Sequence, residues 1–208
     1  MKILLTGASG GIGQVIKITL ETAGHEVVTP THEEVDLINP KEVAVLAEKT
    51  GNIDWLVCSQ GFIDQETTLE HMTPENIENT FKVNILSVIY LAQQFLPHLS
   101  KDGGIITLSS SAGVNANGRF APYSASKAAV NSFMQALARN RPEQKFFAVA
   151  PGPTNTRMRN RVASDATNQQ SPEVVANVVK ELLSTTGKYK SGDVLLVKNG
   201  ETSVVSKI

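Results

Sequence analysis

Lys2-Ile3-Leu4-Leu5-Thr6-Gly7-Ala8-Ser9-Gly10-Gly11-Ile12-Gly13 stands at the head of the sequence, and its reading decides the fold. The run from Lys2 to Thr6 is short and apolar, as a buried strand is. Glycines follow, and they let a backbone turn tightly and approach a ligand closely. A helical pattern from Gln14 to Ala23 comes next, and Gly24 ends it. Strand, glycine turn and helix in that order aim a helix N-terminus, with its unpaired N–H groups and positive dipole end, at a phosphate. No Gly-Lys-Ser/Thr is present, which disfavours a nucleoside-triphosphate loop. The context points to dinucleotide binding rather than to a structural turn.

The same alternation continues along the chain. Strands are predicted at Glu26–Thr29, Asp54–Cys58, Gly104–Ser109, Lys145–Ala150 and, as the last, Asp193–Val197. Helices are predicted at about Pro40–Lys49, Pro74–Leu96, from Tyr123 to about Arg139, and at Pro172–Ser184. The long Pro74–Leu96 helix carries Ile77, Phe81, Ile85, Val88 and Leu91 or Ala92 along one stripe. Continuous apolar strands separated by helices require a parallel sheet covered on both faces. The expected fold is therefore α/β: a doubly wound, Rossmann-like parallel sheet in three αβα layers, with residues 1–208 forming one domain. No repeat or linker divides it. The polar stretch Asn155 to Ser171 follows a strand and reads either as a lid on the ligand crevice or as a solvated loop.

Composition narrows the function. With 19 Lys and Arg against 20 Asp and Glu, the formal charge of −1 gives no footprint for nucleic acid or an anionic membrane. One cysteine, Cys58, cannot form an internal disulfide, and the four histidines are scattered without metal-site spacing. Cys58 itself has no basic neighbour in sequence and reads as a small buried residue. No secretory signal or membrane span is evident, so a cytoplasmic protein without a metal is expected.

Tyr123-Ser124-Ala125-Ser126-Lys127 is the second informative stretch. Positions i and i+4 share a helix face, so the phenol and the ammonium can meet, as a packing pair or as an acid/base centre. Together with the glycine turn, spaced Gly7-x-x-x-Gly11-x-Gly13, the pair resembles the short-chain dehydrogenase/reductase family, whose motifs are TGxxxGxG and YxxxK. Ser110, thirteen residues before Tyr123 in Leu108-Ser109-Ser110-Ser111, fits the family's serine, although Ser109 or Ser111 could face the site instead. Asn84 fits its asparagine, or is a satisfied core amide. Pro151-Gly152-Pro153-Thr154-Asn155-Thr156 resembles the PGxxxT turn, in which Thr154 and Thr156 could also act as simple caps. Asp36-Leu37 resembles the acidic spot near the adenine.

The resemblance implies an NAD(P)-dependent oxidoreductase that interconverts an alcohol and a carbonyl on a small molecule, working as a homodimer or homotetramer. Tyr123 would be the acid/base. Lys127 would lower its pKa and grip the nicotinamide ribose, Ser110 would bond the substrate oxygen, and Asn84 would hold a relay water. The cofactor would lie against Gly7, Ser9, Gly11, Ile12 and Gly13, then Thr31, Asp36, Leu37 and Gly61, then Tyr123 and Lys127, and finally Pro151, Gly152, Thr154 and Thr156. A cofactor-binding regulatory or scaffold protein of the same fold is the alternative, and the retained phenol argues against it. A sugar-nucleotide epimerase lacks its further substrate domain here.

Departures from the pattern carry information too. Cys58-Ser59-Gln60-Gly61 stands where the family has Asn-Asn-Ala-Gly, and only Gly61 fits. After the second strand, Thr29-Pro30-Thr31-His32 has no acid for a ribose 2′-hydroxyl and no arginine for a 2′-phosphate. Without the acid's repulsion, and with Thr29, Thr31 and His32 as donors, the reading favours NADP over NAD. Arg157, Arg159 and Arg161 read as loop charges or as a greeting for an anionic substrate. The segment that shapes the substrate pocket is short.

Overall fold

The computed structural model describes residues 1–64, 68–162, 169–184 and 187–206, without the side chains of Val162 and Ser206. In chain order the elements are β1 (Lys2–Thr6), α1 (Gly11–Thr22), β2 (Glu26–Val28), α2 (Pro40–Thr50), β3 (Ile53–Cys58), α3 (Pro74–Phe81), α4 (Ser87–Phe95), β4 (Leu99–Leu108), α5 (Ala121–Asn140), β5 (Lys145–Pro151), α6 (Arg157–Val162), α7 (Pro172–Leu183), β6 (Val194–Lys198) and β7 (Glu201–Ser206). One seven-stranded sheet runs β2-β1-β3-β4-β5-β6-β7, with every neighbouring pair parallel except β6 and β7.

Period-two alternation sends strand residues into two cores. Ile3, Leu5, Trp55, Val57, Ile106, Phe147 and Val149 pack with Ile16 and Leu20 of α1 and with Val175 and Val179 of α7. Leu4, Leu56, Ile105, Phe146 and Ala148 face the other way, onto Val43 of α2, Val88 and Leu91 of α4 and Met134 of α5. Helices thus cover both faces, as the continuous apolar strands require. Cys58 belongs to the second core, and burial pushes its thiol up to about 12, which leaves it protonated and inert at neutral pH.

Two expectations are corrected. The Pro74–Leu96 stretch is not one α-helix: α3 and α4 flank a single wide turn over Lys82–Leu86, where Ser87 N–H donates to Lys82 O. Val194–Lys198 is not the last strand, because Asn199 and Gly200 both take positive φ (54° and 82°) and fold β7 back as an antiparallel hairpin. Asn199-Gly200 is the sequence signal for such a turn. Part of the Asn155–Ser171 stretch is ordered structure, with α6 at its start and a bridge from Thr154 to Gln170 closing its base. Positions 163–168 of the suggested lid lie outside the described residues.

Strand order reverses between β1 and β3, and a ligand crevice belongs beyond the carboxyl ends of the strands at such a switch point. The residues that follow β1, β3, β4 and β5 are the glycine turn, Ser59–Gly61, Ser109–Ser111 and Gly152–Thr156. All four groups line a single cleft of about 340 Å³.

Candidate active site

The glycine turn forms the cleft's first wall. Gly7 has φ 72°, and a side chain there would strike the Gln60 backbone. A Cβ on Gly13 would strike Gly7 O, so α1 can start against the turn only because Gly13 has none. The helix begins at Gly11 rather than Gln14, with Gly10 as N-cap, no side-chain cap and no acid in its first turn. By helix geometry the first amides of α1 lack intrahelical partners, and Ser9, Gly11, Ile12 and Gly13 line the cleft. Gly7 does not line it; it serves the packing behind it.

Opposite stands α5. Lys127 is buried, its Nζ donates to Leu108 O at 2.8 Å, and it lies 5.9 Å from the centre of the Tyr123 ring. The i,i+4 meeting thus brings the ammonium over the ring. Burial lowers the Lys127 pKa to about 8. Tyr123, half-buried on the cleft wall, has its pKa raised by burial, while a hydrogen bond with Ser110 pulls more weakly the other way. The net shift of Tyr123 is upward because desolvation of the phenolate dominates.

The serine triplet sorts itself. Ser109 Oγ is buried and donates to Lys127 O at 3.0 Å, tying β4 to α5. Ser110 and Ser111 line the cleft as well, and Ser110 Oγ accepts from Ala112 N–H at 3.1 Å. Asn84 does not line the cleft. It is fully buried in the wide turn, where Oδ1 accepts from Phe62 N–H (2.7 Å) and Nδ2 donates to Phe62 O (2.8 Å) and Ser126 Oγ (3.0 Å). Its amide is spent on the chain just after Gly61 and on α5. A Cβ on Gly61 would sit 3.6 Å from both Asn84 Oδ1 and Lys127 Nζ, so these three positions converge at the cleft's edge.

The third wall follows β5. Pro151, Gly152, Thr154 and Thr156 all line the cleft. Thr154 is buried, and its hydroxyl donates to Gly152 O at 2.9 Å. Thr156 Oγ1 accepts from Arg159 N–H at 3.1 Å and caps α6, while its side chain closes over Gly11, where a Cβ would come within 3.0 Å. Both threonines act as caps in this structure.

Thr31, Asp36 and Leu37 are not brought to this cleft. Thr31 N–H donates to Glu34 Oε2 and Asp36 N–H to Glu42 Oε2, both at 2.8 Å, and Asp36 Oδ1 accepts from Ile38 N–H. Leu37 packs against the second core. Beside that loop lies a separate groove bounded by Val28, Thr29, Glu34, Lys41 and Lys49.

Sequence reasoning missed Gln60, Asn117, Phe120 and Met158, all of which line the cleft. The departure at Cys58–Gly61 was the available signal for Gln60. Its buried amide accepts from Thr6 Oγ1 at 2.6 Å and donates to Ser87 Oγ at 2.9 Å, joining β1 to the start of α4 just after the wide turn that holds Asn84. Ser59 Oγ, also on the cleft wall, is buried without a partner among the described residues. An orphaned hydroxyl, a side-chain-free cradle and an open helix N-terminus fit a dinucleotide. Among the described residues there is no cluster that could hold a metal ion, and no helix long and apolar enough to cross a membrane.

Comparison with known proteins agrees with this geometry. The family model for short chain dehydrogenase matches residues 39–167, more than half of the chain. The 7alpha-hydroxysteroid dehydrogenase of Escherichia coli K12 is 27% identical, over 95% of this chain and 92% of its own. The 3-oxoacyl-[acyl-carrier-protein] reductase of the same organism is 29% identical, over 95% of each. In fold, the 3-ketoacyl-(acyl-carrier-protein) reductase of Brucella melitensis, solved with NADH, superposes with TM-score 0.88 at 20% identity, covering 94% of this chain and 96% of that one. ElxO, solved with NADP, gives 0.86 at 19% identity, over 96% and 98%. None of these supports the regulatory or scaffold alternative. The chain belongs to the short-chain dehydrogenase family, and it is an NAD(P)-dependent oxidoreductase that interconverts an alcohol and a carbonyl.

Proposed function

We propose that Tyr123 is the acid/base of this reaction, with Ser110 beside it, Lys127 behind it and Asn84 as a positioning residue. The observation that carries the reading is that Ser110, Tyr123 and Lys127 line the same cleft as the glycine turn. Residues 1–208 act as one domain for binding and catalysis in this reading. Ser9, Gly11, Ile12, Gly13, Gly61, Pro151, Gly152 and Thr156 would hold the dinucleotide, with Ser59 as a further donor. When bound, the nicotinamide supplies or accepts the hydride.

The chain's own residues handle the proton. With its pKa raised by burial, the Tyr123 phenol is protonated at neutral pH, the form that donates to a carbonyl oxygen. Ser110 Oγ, oriented by Ala112 N–H, stands where it can stabilise charge developing on that oxygen. Lys127, with a pKa of about 8, shares its proton readily and is held in place by Leu108 O. Asn84 fixes the backbone of Phe62, and through it the wall at Gly61.

NADP(H) is the preferred cofactor in this reading. No acid ends β2, and Lys41 and Lys49 line the groove beside Thr29, although Glu34 and Glu42 line it too. Thr31's amide is already engaged by Glu34, so Thr29 and the lysines are the better donors to a 2′-phosphate. Titration of cofactor fluorescence is expected to show NADPH binding about tenfold tighter than NADH, a difference of ~1.4 kcal/mol. A tighter NADH would reverse the preference, and binding of neither would defeat the cofactor assignment. A carbonyl panel run with the tighter cofactor then tests turnover.

A homodimer or homotetramer in the cytoplasm completes the proposal. Exposed Leu69 and Leu86 flank α3 and offer apolar surface for a second copy. Sedimentation at micromolar concentration should show an assembly, and a monomer there overturns this part.

A further inference from the structure

We infer that the carbonyl substrate carries an anionic group, a carboxylate or a phosphate, which Arg159 and Arg157 receive. The inference rests on the functional reading above and names the substrate class of the same site. Arg157, Met158 and Arg159 line the cleft, together with Lys127, and among the described residues no aspartate or glutamate does so. The described lining thus differs from the chain as a whole, which has 20 acids for 19 bases. The neighbouring groove beside β2 shows the contrast, for there Glu34 and Glu42 accompany Lys41 and Lys49.

Neither arginine is paired with a carboxylate among the described residues. Arg159 is half-buried, and an unpaired guanidinium taken partly out of water gains most from an anion that replaces the lost hydration. Its backbone is set by the Thr156 cap, and Asn160 N–H donates to Thr156 O at 2.9 Å, so the first turn of α6 is fixed rather than left to solvent. The dinucleotide's phosphates have their own donors in the amides of α1, whose first turn already lines the cleft. Phe120, Ile63, Met158 and Pro153 supply apolar lining to the same cleft. A cleft so lined selects a short carbonyl compound with an apolar body and one charged end. An arginine fork suits that end because it binds both oxygens of a carboxylate or phosphate.

The test compares a series of oxo acids with their methyl esters at saturating cofactor, for the wild type, Arg159→Gln and Arg157→Gln/Arg159→Gln. Cofactor Kd is measured for each protein in parallel. The wild type is expected to favour acid over ester in kcat/KM by roughly 10- to 100-fold, the worth of a charge-assisted hydrogen-bonded pair. The double variant should bring that ratio close to one with cofactor Kd unchanged. A wild type indifferent to the charge overturns the inference while leaving the oxidoreductase reading intact. So does a set of variants that weaken cofactor binding and lower acid and ester alike, which would assign the arginines to the dinucleotide. A wild type that binds no cofactor removes the reading beneath it and the inference together.

Discussion

Replacing Tyr123 by phenylalanine is expected to lower kcat by roughly 10²- to 10⁴-fold, the range a positioned proton donor contributes. The dinucleotide Kd should stay within about twofold of wild type, since ~0.4 kcal/mol covers that difference. The substitution removes one oxygen and its hydrogen bond with Ser110. It keeps the ring beneath Lys127 Nζ, 5.9 Å from the centroid, and so keeps the contact that places the ammonium. Folding should survive, because removing a half-buried hydroxyl leaves no cavity in either core. An equal melting temperature with lost turnover assigns the loss to chemistry. Full turnover on a substrate of the wild type would mean that the proton comes from elsewhere.

Lys127→Met is expected to weaken cofactor binding and turnover, and also to change how stability depends on pH. Burial holds the ammonium at about 8, below its ordinary 10.5. Between these values the unfolded chain keeps a proton that the folded chain has released. Stability from this group therefore rises with pH across that window and is lowest below about 8, where both states carry the charge. The full span corresponds to about 3 kcal/mol. Wild type should gain on Lys127→Met by an amount of that order between neutral pH and the upper end of the window. Loss of the donor to Leu108 O shifts the two curves apart at every pH without altering that slope. Urea unfolding of both proteins across the window measures the difference directly. Parallel pH dependences would show that the lysine keeps an ordinary pKa.

The sheet was legible because its signal is coarse. Apolar runs such as Ile3–Leu5 and Phe146–Ala150 are long enough to be buried on both faces, and glycines or polar runs separate them. The wide turn at Lys82–Leu86 was not legible, since one inserted residue in a helix leaves hydrophobic periodicity nearly intact. The β6–β7 hairpin is signalled by Asn199-Gly200, whose two positive φ values make the turn. At the site, Tyr123, Ser110 and Lys127 come together at one cleft. Spacing could not say that Ser109 spends its hydroxyl on Lys127 O while Ser110 and Ser111 line the cleft beside it. Nor could it say that Asn84 spends its amide on Phe62, or that Thr31 and Asp36 engage Glu34 and Glu42 instead of lining the cleft. Those choices depend on contacts far apart in sequence. The balance of burial against nearby charge at Tyr123 was likewise invisible, because desolvation is a property of the packed site.

The central claim is that one cleft joins the glycine turn to the Tyr123–Lys127 face around a dinucleotide. A crystal structure of the protein with NADP tests it most directly. The account predicts the diphosphate on the first-turn amides of α1, between Gly11 and Gly13, and the nicotinamide ribose within hydrogen-bond reach of Tyr123 and Lys127. A dinucleotide seated instead in the groove bounded by Thr29 and Lys41, or no bound dinucleotide at saturating concentration, would contradict it.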